Sequence, residues 1–244
     1  MRIRVVNPNT TRAMTDTIER CAEAVVGQGT LLDAVTAEMG PASIESHYDE
    51  ALSVPGVLAA IRRGEQEGVD GYVIACFGDP GLDAARELAS GPVIGIAEAA
   101  MHTASHLGRG FSVVTTLSRT IGRATDLVER YGMQRRCRGI HACEIPVLAL
   151  ETDPDARKIV TEACRDAVDV NGSDAVVLGC AGMADLCDHI RDEIGFPVID
   201  GVAAATLTVQ SLITLGLRTS SRGEFASPPP KPYTGVLRSF GANP

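Results

Sequence analysis

The chain has 244 residues, enough for one large domain or two small ones. Hydrophobic residues make up 45% and charged residues 22%, the balance of a soluble globular protein. A net charge of −9 excludes nucleic acid as a partner class, because a phosphate backbone needs a basic surface, and it argues against docking on anionic lipid.

In chain order, short β-branched runs alternate with amphipathic stretches. A strand is predicted over Arg2–Val6, then a helix over Thr11–Val26, a strand over Leu31–Ala37 and a helix over Val57–Gln66. Next come a strand over Tyr72–Ala75, a helix over Leu82–Leu88, a strand over Val93–Ile96 and a helix over Ala97–Leu107. The alternation continues with strand Phe111–Thr115, helix Ile121–Tyr131, strand Ile140–Glu144 and helix Asp155–Asn171. Strand Ala175–Leu178, helix Met183–Ile194, strand Val198–Asp200 and helix Val202–Leu215 complete it. From Arg218 the character changes, and the Pro228-Pro229-Pro230 run fits neither helix nor central strand. The tail is either free in solution or an arm across a neighbouring subunit, with Tyr233, Leu237 and Phe240 as anchors.

Strands apolar on both faces and separated by helices read as parallel, doubly wound sheets. The chain also repeats itself. Gly68 to Cys76 can be laid on Gly172 to Cys180 at one constant offset, matching glycine, aspartate and cysteine with apolar residues between. A second correspondence, at a different offset, pairs Val5-Val6-Asn7 with Val113-Val114-Thr115. The expected fold is therefore α/β, with two pseudo-symmetric doubly wound lobes of mostly parallel sheet and the active site in the cleft between them. The first lobe is expected to hold residues 1–96 with 202–244, the second 97–201.

Seven cysteines is an odd number and no CxxC pair occurs, so neither a disulfide framework nor a zinc site is indicated. No apolar run has signal-peptide or membrane-spanning length, which makes the cytoplasm the expected compartment and free thiols the expected state. Cys21, Cys164 and Cys187 fall mid-helix and read as core residues; Cys137 and Cys143, around a predicted strand, read the same way. His102 and His106 are four apart on a helix but lack a metalloprotease glutamate. Asp79, in Asp79-Pro80-Gly81, is first a turn signal.

Cys76 and Cys180 differ from the rest because the repeat makes them a pair and each follows a strand, where open α/β sheets bind ligands. Backbone N–H groups and a following helix should lower each thiol pKa towards neutrality. Two such thiols on opposite faces of a flat carbanion can invert a stereocentre, one removing a proton and the other delivering one. The N–H groups at Phe77-Gly78 and Ala181-Gly182 are expected to support the enolate oxygen. A small-molecule binding protein and a thiol redox protein are the competing classes; the latter needs the two Cα atoms within about 7 Å.

These residues resemble the Asp/Glu/hydantoin racemase superfamily, in its hydantoin and allantoin racemase branch. The resemblance runs to about residue 217, on Val5-Val6-Asn7-Pro8-Asn9-Thr10, Ala75-Cys76-Phe77-Gly78-Asp79-Pro80-Gly81-Leu82, Val113-Val114-Thr115-Thr116 and Leu178-Gly179-Cys180-Ala181-Gly182-Met183. It implies a two-cysteine racemase needing neither cofactor nor metal, with Cys76 and Cys180 as the acid–base pair. Its expected substrates are 5-substituted hydantoins or, as the alternative, allantoin; another member of the superfamily is the remaining alternative. Asn9, Thr115, Thr116 and Ser43 are implied to line the pocket with Phe77, Gly78, Ala181 and Gly182. Amino-acid racemases of the superfamily tend to follow their cysteines with Asn-Thr or Thr-His, so Phe77-Gly78 and Ala181-Gly182 favour an uncharged cyclic amide. The expected partners are a small-molecule substrate and other copies of the chain in a homo-oligomer, with no nucleic acid and no membrane.

Overall fold

The structure, a computed structural model, describes residues 1–241. Residues 242–244, the end of the tail counted in the expected first lobe, lie outside the described residues. The first half runs β1 (Arg2–Asn7), α1 (Arg12–Glu23), β2 (Leu31–Thr36), α2 (His47–Gln66), β3 (Gly71–Ile74), α3 (Leu82–Leu88), β4 (Val93–Gly95) and α4 (Ile96–Leu107). The second runs β5 (Phe111–Thr115), α5 (Ile121–Arg130), β6 (Cys137–Ala142), α6 (Ala156–Asn171), β7 (Ala175–Leu178), α7 (Cys187–Ile194), β8 (Val198–Ile199) and α8 (Gly201–Thr214).

Both halves form a four-stranded sheet with the same order, β2-β1-β3-β4 and β6-β5-β7-β8. Every strand pairing in them is parallel. The strands read as unbroken apolar runs because helices cover both faces; Ile3, Val5, Val73, Val113 and Val177 have no exposed surface. The helices carry the complementary stripe, as α1 does with buried Met14, Ile18 and Ala22 at successive turns.

Two helices change sides. α4 leaves β4 of the first sheet and packs against β7 of the second, while α8 leaves β8 and packs against β3 and β1 of the first. Ile96 and Ala99 join the core of Ile3, Val5 and Val202, whereas Ala97, Ala100, Met101 and Ala104 join that of Phe111, Val113 and Val177. The two helices meet at their starts, where a Cβ on Gly201 would stand 2.7 Å from the Ile96 carbonyl oxygen.

Besides shifts of one to three residues at element ends, three elements differ from those read in the sequence. α2 begins at His47, not Val57. Pro55, which has no N–H to donate to the Ala51 carbonyl one turn back, lies inside the helix, and the helix is started by Ser46, whose hydroxyl accepts from Asp49 N at 3.1 Å. β6 spans Cys137–Ala142 and stops before Glu144, whose φ of 56° takes the chain out of extended geometry. The helix read over Met183–Ile194 divides into a 3-10 turn, Ala181–Leu186, and then α7 from Cys187.

The tail lies on its own first lobe. Pro228, Tyr233, Leu237 and Phe240 line a groove with Val54 and Leu58 of α2, and the Arg62 guanidinium donates to the Ser239 carbonyl at 2.8 Å. No helix of the described residues is long and apolar enough to cross a membrane.

Candidate active site

In each sheet the chain order reverses beside the central strand, between β1 and β3 and between β5 and β7, and such switch points are where α/β sheets bind ligands. The strand ends there are held in matched fashion, Ala75 N donating to the Val6 carbonyl at 2.9 Å and Gly179 N to the Val114 carbonyl at 2.7 Å. The next residue in each case is cysteine. Cys76 and Cys180 both open onto one cavity of about 180 Å³ between the lobes.

Each cysteine starts a tight turn, closed by Asp79 N to the Cys76 carbonyl at 2.9 Å and Met183 N to the Cys180 carbonyl at 3.1 Å. The residue after each cysteine crosses to the opposite lobe: Phe77 packs with Ala97, Phe111 and Val113, and Ala181 packs with Ile3, Val5 and Met14. Within each turn the glycine N–H points at the sulfur, Gly78 at Cys76 and Gly182 at Cys180. These donors were expected to face an enolate. Gly78 and Gly182 also lie close to the sulfur of their own turn, because the turn folds back on its first residue.

The expected drop in thiol pKa is also not what the site shows. Burial pushes Cys76 up to about 12 against the pull of the Gly78 N–H, and nearby Cys180, Asp79 and Glu50 add to the rise. Burial likewise raises Cys180 to about 12, opposed by the Gly182 N–H. The physical reason is that burial in the cleft outweighs one N–H; α3 begins only at Leu82, six residues after Cys76, and Cys180 is followed by only a 3-10 turn, Ala181–Leu186.

Of the other residues singled out in the sequence, Asn9, Phe77, Gly78, Thr115, Thr116 and Ala181 line the cavity. Asn9 accepts from Thr11 N at 2.9 Å and from the Asn7 amide at 2.9 Å, while its own amide donates to the Met14 sulfur at 3.0 Å, a weak acceptor. Thr115 shares a 2.8 Å hydrogen bond with Thr120. Two residues stand off the wall. Ser43 lies just before it, because Glu45 is drawn across the cleft to accept from Val147 N at 2.7 Å, turning Ile44, Glu45 and Ser46 inward. Gly182 lies behind Cys180, with Leu150 and Met14 against it.

Sequence reading missed the charged rim: Glu45, His47, Glu50, Arg119 and Arg123. Arg123 pairs with Glu50 at 2.7 Å and donates to the Gly78 carbonyl at 2.7 Å, joining α5 of one half to α2 and the Cys76 turn of the other. On an amphipathic helix such an arginine reads as a solvated face, and only the Ser46-x-x-Asp49 cap signalled the start of α2.

Comparison with known proteins places these features in context. The sequence model described as Asp/Glu/Hydantoin racemase matches residues 3–209. A hydantoin racemase of Pseudomonas sp. (strain NS671) is 48% identical, over 100% of this chain and 98% of that protein. An allantoin racemase structure from Klebsiella pneumoniae superposes with a TM-score of 0.97 and 51% identity, covering 99% of both chains. A second allantoin racemase structure, from Pseudomonas fluorescens, gives a TM-score of 0.92 and 38% identity, covering 96% of this chain and all of the other.

Proposed function

This chain belongs to the Asp/Glu/hydantoin racemase family, and from that premise we propose that it is an isomerase that racemises 5-substituted hydantoins at C5 with Cys76 and Cys180 as its acid–base pair. One observation carries this reading: the two thiols stand at equivalent strand ends of two matching sheets and open onto the same cavity.

The thiols interact, each thiolate disfavouring a second one nearby. The pair therefore holds at most one negative charge in the working range, and that is the state the chemistry needs. The thiolate takes the C5 proton, forming S–H as the C5–H pair moves into the ring and onto the adjacent carbonyl oxygen. The opposite thiol then protonates C5 from the other face, and its sulfur is left as the thiolate. One proton enters and one leaves, so no oxidant, metal or organic cofactor is required by the balance. The Gly78 and Gly182 N–H groups stabilise whichever sulfur carries the charge. The Asn9 amide and the Thr116 hydroxyl are the donors we assign to the ring, with Thr115 held by Thr120 beside them.

A second reading, allantoin as substrate, is favoured by the rim, where Glu45, Ser46, His47 and Arg119 suit a ureido group better than an alkyl one. Homo-oligomeric assembly in the cytoplasm belongs to the same proposal. The test is proton NMR in D2O on single enantiomers of a 5-alkylhydantoin and of allantoin, with optical rotation followed in parallel. Loss of the C5 signal together with rotation, faster than without protein, is the expected outcome, and the faster substrate decides between the readings. Retention of both signals with both substrates would refute the proposal.

A further inference from the structure

α8 is capped in the ordinary way. Its N-cap, Asp200, accepts from Val202 N at 2.8 Å and from Ala203 N at 3.0 Å. α4 is the matching helix of the first half, but its N-cap is Gly95, which has no side chain to offer. The carboxylate that does the capping comes from Asp79, accepting from Ala97 N at 3.1 Å and from Glu98 N at 3.0 Å. A Cβ at Gly95 would fall inside that carboxylate. Both halves thus cap this helix with one aspartate, and in the first half alone it has moved into the turn that carries the cysteine.

The move ties that turn to the other lobe. Asp79 is buried, holds a φ of 45°, and takes a third hydrogen bond from the Tyr131 hydroxyl at 2.6 Å. Its backbone N–H closes the Cys76 turn, whose Gly78 N–H meets the sulfur. At the matching place after Cys180 stands Met183, buried among Leu150, Leu178 and Ile190 with no carboxylate to offer.

We propose that Asp79 is a positioning residue that aims the Cys76 thiol, by anchoring its turn to the start of α4 and to Tyr131, and that it does nothing comparable for Cys180. The proposal rests on the two-cysteine reading above. Two measurements test it, on full-length protein with Asp79→Asn and Tyr131→Phe as the variants. The first is C5–H exchange of single hydantoin enantiomers in D2O, in a Cys180→Ser background that keeps Cys76 and a Cys76→Ser background that keeps Cys180. Asp79→Asn should slow the Cys76-dependent exchange about tenfold or more, through kcat more than KM, and leave Cys180-dependent exchange within about twofold. Tyr131→Phe should act in the same direction and less strongly.

The second measurement needs no substrate: the alkylation rate of each thiol by iodoacetamide, read peptide by peptide. Asp79→Asn should change the rate at Cys76 by about fivefold or more and leave Cys180 within about twofold. Equal effects at the two cysteines, or none at either, would overturn the proposal. Selective alkylation at Cys76 with no exchange in either single-cysteine background would uphold the role of Asp79 and sink the two-base reading.

Discussion

At the scale of single residues the site is governed by desolvation. Cys76 and Cys180 rest as thiols, so the reactive thiolate becomes more abundant as pH rises, and kcat/KM should climb from pH 7 towards pH 9 without levelling. A pH series of initial rates checks this. Replacing either cysteine by serine should lower racemisation by about a thousandfold, because a hydroxyl is a far weaker acid and base, while circular dichroism stays unchanged. Stability has its own dependence on the buried thiols. Cys21, Cys164 and Cys187 are, like the pair, pushed by burial to about 12 from an ordinary value of 9.0. A folded pKa above the unfolded one makes the unfolded chain release its protons first, so stability is lost as pH rises from 9 towards 12. Asp79 and Asp200, raised by burial to about 6 from 3.8, give the same sign in a lower window. Relative to Asp79→Asn, the parent should therefore lose stability between pH 4 and pH 6, measured as the urea midpoint, by something on the order of 3 kcal/mol.

At the scale of elements, α2 decides the shape of the cavity mouth. Its N-cap hydroxyl fixes where the helix starts, and the preceding residue, Glu45, reaches Val147 across the cleft. Ser46→Ala should lower the unfolding free energy by about 1 kcal/mol and raise KM more than it lowers kcat, read from a urea melt and steady-state rates. This element also marks the limit of what the sequence discloses. The strands were legible because parallel strands buried on both faces leave unbroken apolar runs, and the cysteine pair was legible because the repeat aligned it. The start of α2 was not, since a proline ordinarily interrupts a helix and Pro55 lies inside this one. Glu45, Glu50 and Arg123 were lost with it, because an ion pair between helices of different halves leaves no periodic trace. The direction of the thiol shifts was misread for a related reason: strand-end position is local, but how much water the cleft excludes is a property of both lobes together.

At the scale of the whole molecule, each half has one core of its own and a second core that it completes only with residues of the other half. With α4 and α8 each seated on the opposite sheet, fluorescence-free probes such as far-UV circular dichroism and amide exchange should report one cooperative unfolding transition, with no plateau between the halves. Gly201→Ala tests the joint between the two helices. Its Cβ would stand 2.7 Å from the Ile96 carbonyl oxygen and 3.0 Å from the Ile96 Cβ, so the variant should be destabilised by about 1–3 kcal/mol in a urea melt.

The crossing of α4 and α8 also speaks to ancestry. A single half with this topology would present a sheet with one face covered only in part, by α1 or α5, and a terminal helix seated on neither face of it. Two copies repair each other by trading helices, and the trade closes a symmetric pair with a cysteine from each copy facing the same space. Joining two such copies end to end turns the trade into a link within one chain and frees the halves to diverge. Gly95 opposite Asp200, and Asp79 opposite Met183, are that divergence written into matching positions.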